Sequence, residues 1–305
     1  MNSSSPPTCS ADGCNAVATL RCSRCLGAFY CGKECQKKAW PSHKEPCKKA
    51  EVTRASIGDS VDVVDRRLEE YIRLAEVGET TAQYNLGLCY MNGTGVVINK
   101  QEAFRWWSLA ANNAHTEAQY SVALCYEKGL GTDMNKDECQ KWYRRAAEAG
   151  HPAAQYNLGL FYSTGEHVDK REAIVWFKLA AEAGDTDAQY NLGVCYAEGN
   201  GVEANMIEAV KWYTFAAKKG DASAQCNLAL CLMNGKGISF NMEEAVKWFT
   251  LSGESGDPVA MNALGICHYK GIGTTVDKIE AKKWWTRAAQ VGHEGARRFL
   301  AAEDF

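Results

Sequence analysis

Cys9, Cys14, Cys22, Cys25, Cys31, Cys35, His43 and Cys47 crowd the N-terminal part of the chain. They form four close pairs, and a close pair can bring two donors onto one metal ion. Eight thiol and imidazole donors suit two tetrahedral, structural Zn²⁺ sites. With four protein ligands on each ion, neither site keeps an open position for catalysis. A segment of fewer than about 50 residues cannot build a sufficient core alone, so the metal must supply folding energy. His43 and Cys47 lie four residues apart, on one side of a short helix. Dense cysteines can also mean disulfides, which need an oxidising compartment. The stretch Met1 to Thr8 is polar and carries no apolar leader segment, and no run of about 18 apolar residues marks a membrane span. The expected location is therefore the cytoplasm, the nucleus or both, where clustered cysteines bind metal.

The other seven cysteines are scattered. Cys89, Cys125, Cys195, Cys231 and Cys267 recur at one repeat position, and read as small buried hydrophobes. Cys139 and Cys226 read as packing variants. His115, His151, His167, His268 and His293 form no pair with metal-ligand spacing, and His115 and His151 are expected to be exposed in turns. The turn Gly129-Leu130-Gly131 follows a helix instead of a strand, so it is not a phosphate cradle. No Ser/His/Asp set shares a context. The chain reads as non-enzymatic.

The elements that carry these residues repeat. Ala82-Gln83-Tyr84-Asn85-Leu86-Gly87 returns at Ala118, Ala154, Ala188, Ala224 and Ala260, with spacings of 36, 36, 34, 36 and 36 residues. A fixed period in this range signals a solenoid. Each unit reads as two helices. The first, with Leu86, Cys89 and Tyr90, stops at a glycine turn such as Gly93-Thr94-Gly95. The second carries Ala103, Trp106, Leu109 and Ala110 at helical spacing. Trp106, Trp142, Trp176, Trp212, Trp248 and Trp284 share one position, and burying each is worth about 2–3 kcal/mol. Gly87, Gly159, Gly193 and Gly265 fall inside the first helix, where glycine costs about 1 kcal/mol against alanine. A repeated cost implies close helix–helix contact there, and Ala123 and Ala229 keep the same site small.

These motifs resemble the Sel1-like repeat, a relative of the tetratricopeptide repeat. About six repeats cover residues 82–295, and half-repeats at 61–78 and from Ala296 cap the array. The N-terminal pattern, with Phe29-Tyr30-Cys31 and Cys35-Gln36 ahead of Trp40, is similar to a MYND-type zinc finger. The resemblance implies interleaved ligands: Cys9, Cys14, Cys31 and Cys35 on one zinc, and Cys22, Cys25, His43 and Cys47 on the other. The first pair departs from the commoner spacing, and Asp12-Gly13 can supply the turn it needs. The expected fold is mainly α, an αα-hairpin solenoid behind a small two-zinc finger. Its parts are a disordered N-terminus at 1–8, the finger at 9–47, a linker at 48–60 and the solenoid at 61–305.

The resemblance also implies partners. Fingers of this type bind peptides, often proline-containing, and Ser23, Gln36 and Trp40 match positions near that groove. The alternatives are solvent exposure for Ser23 and Gln36, and packing on Phe29 for Trp40. Asn85, Asn157, Asn191 and Asn227 share a mid-helix position that in tetratricopeptide relatives faces the concave groove and holds peptide backbone. The alternative there is an asparagine bonding between repeats.

Charge bounds the rest. The chain has 305 residues, 46% of them hydrophobic, and a formal net charge of −3. Residues 1–50 hold eight Lys/Arg against three Asp/Glu, a formal +5, and the remainder is −8. Seven thiolates subtract seven and two zinc ions add four, which leaves the finger near +2. That is no phosphate-binding stripe. The reading is a monomeric adaptor whose finger and repeat groove each take a partner peptide, with no membrane and with the charge balance against nucleic acid. The rival is a transcription- or chromatin-associated regulator that recruits corepressor-type partners or nucleic acid through the finger. A SET-type methyltransferase needs a flanking domain for which the stretch before Cys9 has no room.

Overall fold

A computed structural model describes residues 20–21, 29–30, 60–164 and 168–302. It divides into two compact units, residues 1–98 and 99–305, so the break falls inside the first repeat and not ahead of it. The described residues are mainly α-helical.

In the first unit, β1 (Leu20–Arg21) and β2 (Phe29–Tyr30) pair antiparallel, with Leu20 opposite Tyr30 and Arg21 opposite Phe29. Helix α1 (Ser60–Glu76) packs on α2 (Thr80–Asn92). The expected capping half-repeat at 61–78 is therefore a full helix.

The second unit is a run of helical hairpins. Its helices are α3 (Lys100–Asn112), α4 (Thr116–Lys128), α5 (Lys136–Glu148), α6 (Pro152–Thr164), α7 (Lys170–Glu182) and α8 (Thr186–Glu198). They continue with α9 (Met206–Lys218), α10 (Ala222–Asn234), α11 (Met242–Glu254), α12 (Pro258–Lys270), α13 (Lys278–Gln290) and the short α14 (Glu294–Ala302). Every helix packs on the next in sequence, within hairpins and between them.

The sequence fixes these bounds through caps. Second helices start at an Asn or Asp whose side chain accepts backbone N–H groups: Asn135 takes Asp137 N and Glu138 N, both at 3.1 Å. Such a cap is worth about 1 kcal/mol. First helices α4, α8, α10 and α12 end at a left-handed glycine, as Gly129 does with φ 65°. The second glycine of the turn has a separate task. Gly131 has φ +75°, and a methyl group placed there would lie 2.0 Å from the Lys100 carbonyl oxygen. The loop of one repeat thus rests its backbone on the start of the previous repeat's second helix.

The core follows the small-residue logic. A methyl group on Gly159 would meet the Phe177 ring at 2.6 Å, one on Gly193 the Tyr213 ring at 2.7 Å, and one on Gly265 the Trp285 ring at 2.3 Å. The aromatic that fills each notch is the residue after the repeated tryptophan. Phe177, Phe249 and Trp285 are sealed completely or nearly so, whereas Trp248 is only half-buried. The repeated tryptophan is therefore the second anchor of each hairpin, not the first. Leu109, expected among the buried residues, is exposed, and Trp107 takes its place in the core.

Candidate functional site

All eight candidate zinc ligands lie outside the described residues, as do Ser23, Gln36 and Trp40. The β1–β2 pair belongs to the same segment. In sequence, Cys22 follows β1 directly and Cys31 follows β2 directly. The donor set of seven thiols and one imidazole fits zinc in chemistry and number.

The scattered thiols are of a different kind. Burial pushes Cys125, Cys139 and Cys226 up to about 12 and Cys195 up to about 11, and raises Cys89, Cys231 and Cys267. Thiols held protonated are neither nucleophiles nor ready metal ligands.

The asparagines lie on first helices, each half-buried. In α8 the face reads Asp187, Asn191, Val194 and Glu198, spaced by four, three and four residues. Asn191 donates its amide to the Asp187 carbonyl at 2.8 Å and reaches the Tyr156 hydroxyl of the preceding repeat at 3.4 Å. Asn157 lies close enough to the Tyr120 hydroxyl, and Asn227 to that of Tyr190, to favour their ionised forms slightly against burial. The tyrosines stay protonated, because burial raises Tyr120, Tyr156 and Tyr190, with Asp187 and Asp185 adding to Tyr156. The amides therefore tie neighbouring repeats together along this face. Asn85 sits elsewhere, in a cleft of about 250 Å³ within the first unit, beside Arg67, Leu68, Tyr71 and Leu88.

One turn beyond the asparagine position lies a row that sequence reasoning missed. Leu124, Leu160, Val194, Leu230 and Ile266 share one repeat position; all five are partly buried, and Leu160, Val194, Leu230 and Ile266 pack against the core from its edge. The signal was present as a recurring aliphatic directly after the Leu-Gly position. A second omission is the glutamine that follows the first alanine of the repeat motif. Gln119, Gln155, Gln189 and Gln225 are buried, and each donates its amide to the carbonyl of an alanine eight residues earlier, at 3.0–3.3 Å. That carbonyl already accepts the backbone N–H three residues on, as Ala147 O does from Gly150 at 3.0 Å, and the glutamine fills its second lone pair. The histidine expectation also needs correction. His151 is buried, because its Nδ1 accepts Ala154 N at 3.2 Å as the cap of α6 while its Nε2 meets Glu117 at 3.0 Å. His115 and His293 cap α4 and α14 through the same atom.

Family models match the chain in two places. A MYND finger covers residues 8–47. The Sel1 repeat matches six times, at 80–115, 116–151, 152–185, 186–221, 222–257 and 258–293. Among solved structures, a protective antigen of uropathogenic Escherichia coli with an SLR fold is 34% identical over 75% of this chain and 50% of its own, with a TM-score of 0.71. A Sel1 repeat protein from Oxalobacter formigenes is 33% identical over 73% of this chain and 99% of its own, with a TM-score of 0.62. Curated relatives match in the finger alone. Histone-lysine N-methyltransferase SMYD3 of Homo sapiens is 62% identical over 29 residues, and N-lysine methyltransferase SMYD2 of Gallus gallus is 53% identical over 38. The matches span 7% and 9% of those enzymes.

Proposed function

Because the chain belongs to the Sel1 repeat family and carries a MYND finger ahead of its repeats, we propose that it is a non-enzymatic, zinc-binding adaptor. Both modules fit protein interaction. No helix among the described residues is long and apolar enough to cross a membrane. The finger, residues 9–47, holds two structural zinc ions, one on Cys9, Cys14, Cys31 and Cys35, the other on Cys22, Cys25, His43 and Cys47. It takes one partner peptide near Ser23, Gln36 and Trp40, with a proline-containing segment the favoured ligand. The repeats take a second partner along the first-helix face. The chain works as a monomer in the cytoplasm, the nucleus or both.

The observation that carries the reading is the strip on the first helices. Partly buried aliphatics at the edge of the core lie beside partly exposed amides, and this combination suits an extended peptide: side chains meet the rim of the apolar row while backbone meets Asn157, Asn191 and Asn227. Two tethered sites raise the effective concentration of one partner at the other, to about millimolar for a short linker. The finger's likeness to those of a histone-lysine methyltransferase supports a narrower version, in which the captured partners are chromatin regulators.

Affinity capture with the full-length chain tests this. Wild type is compared with Cys22→Ser/Cys25→Ser and with Leu160→Ser/Leu230→Ser. The expected result is that each variant loses its own set of partners and keeps the other's. If both variants lose the same proteins, or neither loses any, the adaptor reading fails. Native mass spectrometry gives the zinc count, and any value but two ions per chain contradicts the ligand scheme.

A further inference from the structure

The second helices of residues 99–305 carry a surface that the adaptor reading leaves unused. Three positions after each repeated tryptophan, the six repeats read Leu109, Arg145, Leu179, Phe215, Leu251 and Arg287, and three consecutive apolar residues fall between the two arginines. Equivalent positions on stacked repeats form a row. The three central side chains are apolar and each is at least 41% exposed. Val175, one turn before Leu179, and Ile207, two turns before Phe215, widen the row and are exposed too. Single exposed apolar residues are ordinary on any protein, but a contiguous set is the mark of an interaction site.

The two arginines bracket the three central apolar side chains, with Leu109 at the same position one repeat beyond Arg145. Arg145 lies over the Trp142 ring at 4.6 Å and Arg287 over the Trp284 ring at 4.4 Å. Arg287 also donates to the Gly253 carbonyl at 3.3 Å. Neither is held by a carboxylate, in contrast to Lys211, which pairs with Glu208 at 3.1 Å. An open depression of about 370 Å³ at the first end is lined by Gln140, Lys141, Arg144, Arg145 and Glu148, three cations against one carboxylate. The carboxylates of α11, Glu243 and Glu244, sit about two turns from Leu251, towards the helix N-terminus.

We propose that this row docks a segment of a partner protein in which apolar residues are flanked by Asp or Glu at both ends. The apolar side chains cover Leu179, Phe215 and Leu251, and the carboxylates meet Arg145 and Arg287. A second copy of this chain does not fit. Two-fold pairing through the row sets Arg145 against either Arg145 or Arg287 of the other copy, and like charges in contact are repulsive. The surface is separate from the first-helix face and does not depend on it.

The test is a phage-displayed library of random 12-residue peptides, panned on the immobilised full chain. The expected winners carry apolar residues with Asp or Glu on both flanks. Synthetic versions, measured by fluorescence anisotropy, should bind at least tenfold more weakly to Phe215→Ser and to Arg145→Glu/Arg287→Glu, and equally well to Asn157→Ala/Asn191→Ala. Phe215 and Arg145 are surface groups, whereas Arg287 also hydrogen-bonds the Gly253 carbonyl, so Arg145→Glu alone is measured beside the double reversal and circular dichroism melts verify that each variant folds. Winners without acidic residues, winners indifferent to Phe215→Ser or to the charge reversal, or no enrichment at all would each overturn the proposal.

Discussion

Where the second repeat meets the third, Gln155 reaches back to the Ala147 carbonyl at 3.1 Å and His151 caps α6. Where the fifth meets the sixth, neither residue is there. Met261 stands at the glutamine position and cannot donate, and Asp257 is the cap, accepting Ala260 N at 2.7 Å. Gly253 O, which already accepts Gly256 N–H at 3.2 Å, takes its second donor from Arg287 on the next repeat's second helix, at 3.3 Å. The Ala-Ala pair of other repeats is Ser252-Gly253 here, and the buried Ser252 hydroxyl donates to the Ala222 carbonyl at 2.7 Å. Both junctions thus give the carbonyl at the end of a second helix a side-chain donor besides its backbone one. A carbonyl oxygen has two lone pairs, and any donor that reaches can use the second.

The largest effect expected comes from the aromatics that both junctions share. Trp285→Ala should cost about 3–5 kcal/mol in denaturant unfolding, since the ring is fully buried against Gly265. Trp248→Ala, from a half-buried position, should cost less than half as much. Equal losses would show that the two aromatic positions are not ranked as their burial implies.

A smaller effect addresses the hydrogen bonds themselves. Gln155→Leu and Arg287→Leu should each destabilise by about 0.5–1.5 kcal/mol, the net worth of the hydrogen bond each removes, since Gly150 N–H and Gly256 N–H still pair the two carbonyls. The sharper form is a rescue. Met261→Gln added to Arg287→Leu should restore most of that loss, and the double-mutant cycle should show coupling of at least about 0.5 kcal/mol. If the two changes add independently, the junctions are not equivalent after all.

The caps give a lesser contrast. Asp257→Asn should be nearly silent, since both residues cap well. His151→Asp keeps a cap but sets a second carboxylate near Glu117, and should cost about 1 kcal/mol at low salt, and less at high salt.

The smallest effect is in alkali. Burial holds Cys125 and Cys139 of the second repeat at about 12, above their value in the unfolded chain. Their contribution to stability is therefore complete below about pH 9 and is lost as pH rises towards 12. Melting temperatures should decline between pH 9 and 11, and less steeply in Cys125→Ala. At pH 8 the folded repeats should resist thiol labelling by Ellman's reagent.

Much of this was legible in the sequence. The period placed the hairpins, and the helix-interior glycines announced the notches that Phe177, Tyr213 and Trp285 fill. The glutamine bonds were not legible, although Gln83 to Gln225 recur in plain view. Their acceptors lie across a turn, on another helix, and polarity alone argues for exposure. His151 misled for the same reason: a ring that caps a helix and touches the previous repeat looks, as a letter in a turn, like solvent-facing residue. The first-helix strip was half read. The asparagines stood out as poor helix formers, while the aliphatics beside them looked like ordinary core.

The second glycine of each turn bears on how such a chain grows. Gly131, Gly201, Gly237 and Gly273 press on the carbonyls of Lys100, Lys170, Met206 and Met242. Two of those partners are lysines and two are methionines, and the contact ignores the difference because it is backbone against backbone. A gene segment encoding one repeat can therefore be copied and inserted with its docking surface already matched, since the carbonyl it must meet is present in any neighbour. Lengthening the array needs no compensating substitution at this contact, and the number of repeats is free to drift while the step between them is inherited unchanged.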